Sequence, residues 1–341
     1  MDLSTHYMGL ELKNPIIVGS SGMTGSVENV KRAEAAGAAA VVLKSIFEEE
    51  VALEYADFMK TAQQFPKESQ YFDYDGRKIP IEYYDYIVRE ENLKKYATLV
   101  AESKKAVSIP VIASINCFLQ SVEWISYAQK LEAAGADALE LNMFFPPTDF
   151  KKTRVDRKSI YFKVAEEVTQ KLSIPTALKI SYYFSDLGPM IQKLSQTGIA
   201  GLVLFNRYFS PDIDIDNFTI TNGFVFSTPS DLSMSLRWIA IMAEKVDCDL
   251  AASTGIHDGD AVIKQLLAGA DAVQVASCLY KNGIDYLGIM IGRLQSWMTD
   301  NRFNTIDDFK GKMSQEKTID PSIYDRVQFM RYYGGKKNVV T

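Results

Sequence analysis

Cysteine, histidine, basic charge and long apolar runs are all scarce in this chain, and each scarcity removes a class of function. The 341 residues include 3 cysteines and 2 histidines. Cys117, Cys248 and Cys278 are widely scattered with no C-x-x-C pair, so no disulfide framework is expected. His6 and His257 make neither a metal site nor a catalytic triad with them, so no metal is expected. The formal net charge is −6 and the pI about 5.2, without the basic footprint that nucleic acid or anionic lipid requires. No apolar stretch reaches membrane-spanning length, and MDLSTHYMGLELKNP lacks a charged region followed by an apolar one. A cytoplasmic protein with no membrane or nucleic-acid partner is the expectation.

What is present is a repeating unit. Hydrophobic residues make up 47% of the chain and charged ones 23%, which is ample for a large core. Short β-branched runs recur at 14–21, 39–46, 110–116, 138–143, 175–181, 201–206, 249–255 and 272–278, and an amphipathic stretch follows each. Near-continuous apolar strands alternating with helices specify parallel pairing buried on both faces. Eight such units predict an α/β fold of the TIM (β/α)₈ type, a single domain over 1–341. A doubly wound open sheet is the competing architecture. The steps AAGA, AAGAD and LAGAD predict helix ends capped by Gly37, Gly135 and Gly269, with Gly198 in the same role. Two stretches exceed the minimal barrel, about 47–91 after the second strand and 207–230 after the sixth. Both follow strand C-termini, so both are expected to act as lids, the second as a small β excursion. A C-terminal extension, about 303–341, is expected to pack across the barrel or at a subunit interface.

In this fold chemistry belongs to the C-terminal strand ends. Read in order these carry Ser20, Ser21 and Gly22; Lys44 and Ser45; Asn116 and Cys117; Asn142; Lys179 and Ser181; Asn206 and Arg207; then Ser253-Thr254-Gly255 and Ala276-Ser277. Lysines inside VVLKSI and TALKIS are costly to bury without compensation. Either Glu140 pairs with one internally, or Lys44 and Lys179 surround an electron-rich ligand together with the asparagines. The turns after the last two strands are the recurrent phosphate site of such barrels. His257, beside them, reads as a solvated helix N-terminal residue.

The stretches LSTHYMGLELKNPIIVGSSG, GAAAVVLKS, PVIASIN, GADALELNM, IPTALKIS, GLVLFN and STGIHDGDAVIKQLLAGADAVQVASCLYKNG together resemble dihydroorotate dehydrogenases, above all the class 1 flavoproteins, over roughly residues 3–310. The resemblance implies FMN as cofactor, a small-molecule substrate and a homodimer. It places Ser20, Ser21, Gly22, Lys44, Ser45, Asn116, Asn142, Lys179 and Asn206 on the flavin ring and ribityl chain. Ser253–Ile256 and Ala276–Ser277 fall on its phosphate, and Ser227-Thr228 on a further cofactor contact. Lys44 and Lys179 are the candidate catalytic residues, and Asn142, Asn206 and Arg207 the candidate substrate contacts. The family's base, a Cys or Ser after the fourth strand, falls here on Phe145 in NMFFPPTDF, and phenylalanine accepts no proton. Thr148, Asp149 and Cys117 are the candidate substitutes. Arg207 either clamps a substrate carboxylate or pairs with an aspartate of DIDID. Four functions compete: an FMN oxidoreductase with a changed substrate, a true dihydroorotate dehydrogenase with an unusual base, a flavin-free phosphate-binding lyase or isomerase using a Schiff-base lysine, and a non-enzymatic binder.

Overall fold

The computed structural model describes residues 1–47, 71–74, 77–80, 84–116, 121–145, 154–207, 211–223 and 225–324. The chain opens with a hairpin that no pattern above anticipates. Its strands β1 (Thr5–Tyr7) and β2 (Leu10–Leu12) pair antiparallel around Met8 and Gly9, both at positive φ. Such a two-residue turn matches the twist of the strands it joins.

Eight parallel strands then close on themselves. They are β3 (Ile16–Val18), β4 (Ala40–Val42), β8 (Val111–Asn116), β9 (Ala138–Asn142), β10 (Thr176–Ile180), β11 (Gly201–Leu204), β14 (Asp249–Ser253) and β15 (Ala272–Val275). Each pairs with the next in that order, and β15 pairs back onto β3. Closure excludes the open sheet. After a break at Leu43–Ser45 the second strand resumes as β5 (Ile46–Phe47), again beside β8.

Helices α1 (Val27–Ala35), α2 (Tyr84–Ala106), α3 (Ser121–Ala133), α4 (Arg154–Thr169), α5 (Leu187–Ser195), α6 (Leu232–Met242) and α7 (Gly259–Ala268) stand between successive barrel strands. After β15 come α8 (Ser277–Asn282) and α9 (Tyr286–Asp300). The expected caps are present, with Gly37, Gly135, Gly198 and Gly269 all left-handed. The GAD steps have a second purpose. Asp137 and Asp271 each accept a backbone N–H from the start of the preceding barrel strand, from Val111 and Leu250, and each is countered by a lysine, Lys104 or Lys310.

Strand alternation sorts the core into two parts. Outward residues such as Ile16, Leu139, Leu178, Leu202 and Val273 pack under the helices. Inward residues at the N-terminal end are small, Ala138, Ala177, Ala251 and Ala272, and the space they leave is filled by Tyr7, Met8 and Leu12 of the hairpin. Gly201 completes the fit: a Cβ there would stand 3.0 Å from the Tyr7 hydroxyl. Above this apolar plug the inward positions turn polar, with Ser114, Glu140, Lys179 and Gln274, then Asn142 and Ser253. The sealed floor leaves the C-terminal mouth as the open end.

Of the insertion expected at 47–91, the described parts are an antiparallel pair, β6 (Tyr71–Tyr74) with β7 (Arg77–Pro80), and the start of α2 at Tyr84. The helix therefore begins inside the span expected to be loop. The β excursion after the sixth barrel strand is present as β12 (Asp212–Asp214) paired with β13 (Thr219–Thr221). Residues 303–324 of the extension pack across α6 and α7: Gly311, Met313 and Gln315 donate backbone N–H groups to Leu266, Leu267 and Ala240. Phe309 is fully buried against Trp297. Residues 325–341 lie outside the described residues.

Candidate active site

One cleft at the barrel mouth gathers the ends of β3, β10, β11, β14 and β15. It is lined by Ser20, Lys179, Asn206, Arg207 and Ser227, the turn Ser253–Ile256, Gln274, and the turn Ala276–Ser277. Thr254 and Gly255 both have positive φ, which turns successive backbone groups towards the cleft. The N–H groups of Gly255 and Ile256 have no protein acceptor among the described residues. Glycine at 255 is dictated by crowding as well as by φ, since a Cβ would stand 2.0 Å from the Leu232 nitrogen at the start of α6.

Ser227 is fastened over this turn from three directions. Its N–H donates to Ser277 Oγ at 3.1 Å, its carbonyl accepts from Lys281 Nζ at 2.9 Å, and its hydroxyl meets His257 Nε2 at 2.9 Å. His257 is thus buried, contrary to the solvated position expected of it, because the loop before α6 folds back over the helix start. Burial first, and then the nearby Lys281 cation, push its imidazole below the ordinary value.

Lys179 sits at the base of the cleft, 8% exposed. Its Nζ donates to Gln274 Oε1 at 2.8 Å and lies 3.7 Å from Glu140 Oε1, so the internal ion pair anticipated for one lysine exists. On the far side of the mouth the polar residues are joined to one another. Ser20 Oγ is 3.0 Å from Ser45 Oγ, which is 2.7 Å from Ser114 Oγ, and the Asn206 amide donates to Asn142 Oδ1 at 2.6 Å. Asn116 ends β8 beside Phe47 of β5.

Other candidates stand elsewhere. Lys44 is exposed, with its stem against Gly25. Ser21 caps the short 3₁₀ turn Gly22–Thr24, and Gly22 lies under Tyr280, where a Cβ would meet the hydroxyl at 2.7 Å. Thr228 is exposed and donates its backbone N–H to Asp231 at 2.7 Å. Phe145 is half-buried, its ring edge-on to Tyr161 at 5.2 Å within an outer cluster that includes Phe184, and it does not line the cleft. Cys117, Thr148 and Asp149 lie outside the described residues. The two described cysteines are poor proton acceptors, since burial raises Cys248 to about 12 and Cys278 to about 11. Arg207 donates to the Val225 carbonyl at 2.9 Å and lies 3.9 Å from Asp231, so its aspartate neighbour is not one of DIDID.

Beside Arg207 the cleft continues into a second hollow walled by Tyr182, Tyr183 and Phe205. Tyr182 and Tyr183 lie 4.7 Å apart, and Phe205 meets Tyr182 edge-on at 5.8 Å. A hydrogen bond to Tyr183, followed by burial, raises the Tyr182 phenol above its ordinary value, so it keeps its proton and does not serve as a base at neutral pH. These aromatics, Gln274 and the His257–Lys281 pair were not on the sequence-derived site. Gln274 was legible there, because a glutamine inside AVQVAS breaks an apolar strand as the lysines do. The tyrosines were not, since a YY step after a strand is common in any loop.

The family model for dihydroorotate dehydrogenase matches residues 87–298. The chain belongs to the dihydroorotate dehydrogenase family. It is 24% identical to the catalytic subunit of dihydroorotate dehydrogenase B (NAD(+)) of Thermoplasma acidophilum over 318 residues, 91% of this chain and 98% of that protein. The corresponding subunit of Methanocaldococcus jannaschii is 25% identical over 317 residues, 91% and 97% of the two chains. The chloroplastic dihydropyrimidine dehydrogenase (NADP(+)) of Arabidopsis thaliana is 22% identical over 349 residues, 95% and 80%. Membership makes the protein a flavin oxidoreductase acting on CH–CH donors, with FMN as its cofactor, and removes the flavin-free alternative. The cleft suits that cofactor: unspent backbone donors and serine hydroxyls at one end match a phosphate, and a lysine and two asparagines lie towards the other. No helix among the described residues is long and apolar enough to cross a membrane.

Proposed function

We propose that this protein oxidises or reduces a small, planar carboxylate other than dihydroorotate. The observation that carries the reading is that Arg207 and an aromatic wall of Tyr182, Tyr183 and Phe205 border the cleft, and the family resemblance implies Phe145 where the base would stand. Ser227, the Thr254–Ile256 turn and Ser277 would hold the FMN phosphate through backbone N–H and hydroxyl groups. Lys179, at the base of the cleft, would face the ring, where its charge would favour the reduced, anionic form. Ser20, Ser45, Asn116 and Asn142 would supply the remaining polar contacts to the flavin, while the exposed Lys44 stands outside the cleft. Bound FMN supplies the two-electron partner for hydride exchange with the substrate carbon. Arg207 takes the carboxylate in a two-pronged hydrogen bond, and the aromatic wall excludes water and selects a flat molecule. In the reducing direction the protonated Tyr182–Tyr183 pair would give the second carbon the proton it gains, and solvent would reprotonate the phenolate.

A panel of unsaturated and saturated carboxylates, mixed anaerobically with FMN-loaded protein, tests the reading. A member of the panel should change the flavin spectrum, and Arg207→Gln should weaken its apparent affinity by about 10–150-fold, the loss of a charge-assisted contact worth about 1.5–3 kcal/mol. Equal affinity in wild type and variant contradicts the role given to Arg207.

A further inference from the structure

A polar row crosses the barrel beneath the cleft, with Glu140 on β9, Gln274 on β15 and Lys179 on β10. In register Ala177 stands opposite Glu140 and Lys179 opposite Asn142, so Glu140 lies one inward layer deeper than Lys179. Gln274 links the two. Its carbonyl oxygen accepts from Lys179 Nζ at 2.8 Å, and its amide donates to Glu140 Oε2. The other carboxylate oxygen, Glu140 Oε1, accepts no hydrogen bond among the described residues and stands 3.7 Å from Lys179 Nζ. Glu140 is 1% exposed and Gln274 3%. A carboxylate half-satisfied in the centre of a barrel is expensive, and an apolar residue of similar volume is usually at least as stable. What the carboxylate supplies that an apolar residue cannot is negative charge directly under the lysine.

We propose that Glu140, linked by Gln274, is a positioning residue that offsets part of the charge Lys179 presents to FMN. It thereby holds the flavin midpoint potential below the value that Lys179 alone would set. The inference rests on Lys179 facing the ring, as proposed above. Lys179 is nearer the cleft than Glu140, so the net field at the ring remains positive but is reduced. The amide orientation of Gln274 follows from its two neighbours: oxygen towards the cation, N–H towards the anion.

Redox titration of the FMN-loaded full-length protein tests this. Glu140→Gln should raise the ratio of reduced-to-oxidised FMN affinity on the order of tenfold, read as a midpoint about 30 mV higher for a two-electron couple. Gln274→Met, which leaves both charges in place but removes the oxygen facing Lys179, should raise it less. Lys179→Met/Glu140→Gln removes both charges together, which buried pairs tolerate better than loss of one partner, and should fall below wild type. A Glu140→Gln potential that is unchanged or lowered, with the double variant lowered, overturns the role of Glu140 alone. A double variant no lower than wild type overturns the placing of Lys179 as well. Should Glu140→Gln fail to fold, an unmoved potential in Gln274→Met overturns the proposal.

Discussion

At the scale of single residues the barrel mouth depends on a few buried polar groups whose partners are now explicit. Lys179 looked anomalous inside TALKIS, and its cost is met by Gln274 and Glu140 rather than by solvent. On this account Lys179→Met, in protein that still binds FMN, lowers the flavin midpoint potential by roughly 30–65 mV, the equivalent of about 1.5–3 kcal/mol for a charge-assisted contact. Spectroelectrochemical titration reads it, and an unmoved potential makes Lys179 structural. The lysine was legible because charge inside an apolar strand needs a reason. Its glutamate was legible only as one of two alternatives, since GADALELNM alone does not say which neighbour Glu140 meets.

At the scale of elements, the turn after β14 and the loop before α6 work as one unit. Gly255 lets the turn touch Leu232, and Ser227 is pinned by Ser277, Lys281 and His257. Burial and Lys281 disfavour the imidazolium, so the folded pKa of His257 lies below its unfolded value of about 6.5. The unfolded chain therefore takes up the proton first. The contribution of His257 is complete above about pH 6.5 and is lost as pH falls through the lower folded value. Thermal midpoints measured from pH 8 to pH 5 should fall more steeply for wild type than for His257→Gln, and parallel curves would remove His257 from the clasp. This clasp was not legible in sequence, because Ser227 and His257 are distant along the chain and meet only once the loop folds back. The barrel strands were legible, for they announce themselves by composition over a few residues. Their C-terminal limits were read too long, as at 201–206, where the strand ends at Leu204 and Phe205 and Asn206 turn into the mouth. The N-terminal hairpin escaped notice because three-residue strands carry too little alternation, although Met8-Gly9 marks the turn.

For the whole molecule, two expectations follow from what the closed barrel leaves uncovered. Ile213 and Ile220 face one another across β12 and β13, and both are largely exposed, at 68% and 77%. A two-stranded sheet with one bare apolar face is marginal alone, and we propose that a second copy of the chain covers it. Sedimentation should give twice the monomer mass for wild type and the monomer mass for Ile213→Asp/Ile220→Asp; a monomeric wild type contradicts this. The second expectation concerns chemistry. Family, fold and FMN were readable from stretches spread along the chain, whereas the substrate was not, because the residues that choose it sit in loops whose geometry no local pattern dictates. On the proposed reading the family's cofactor site is kept and its proton acceptor replaced by Phe145, whose ring packs edge-on against Tyr161. General-base assistance is worth about 10²–10⁴-fold in rate. Anaerobic stopped-flow mixing of the FMN-loaded protein with dihydroorotate is the direct measurement. The flavin is expected to stay oxidised, or to bleach more slowly than about 10⁻² s⁻¹, roughly 10²-fold below the low end of the 1–10³ s⁻¹ usual for enzymes. Bleaching within that range would contradict it.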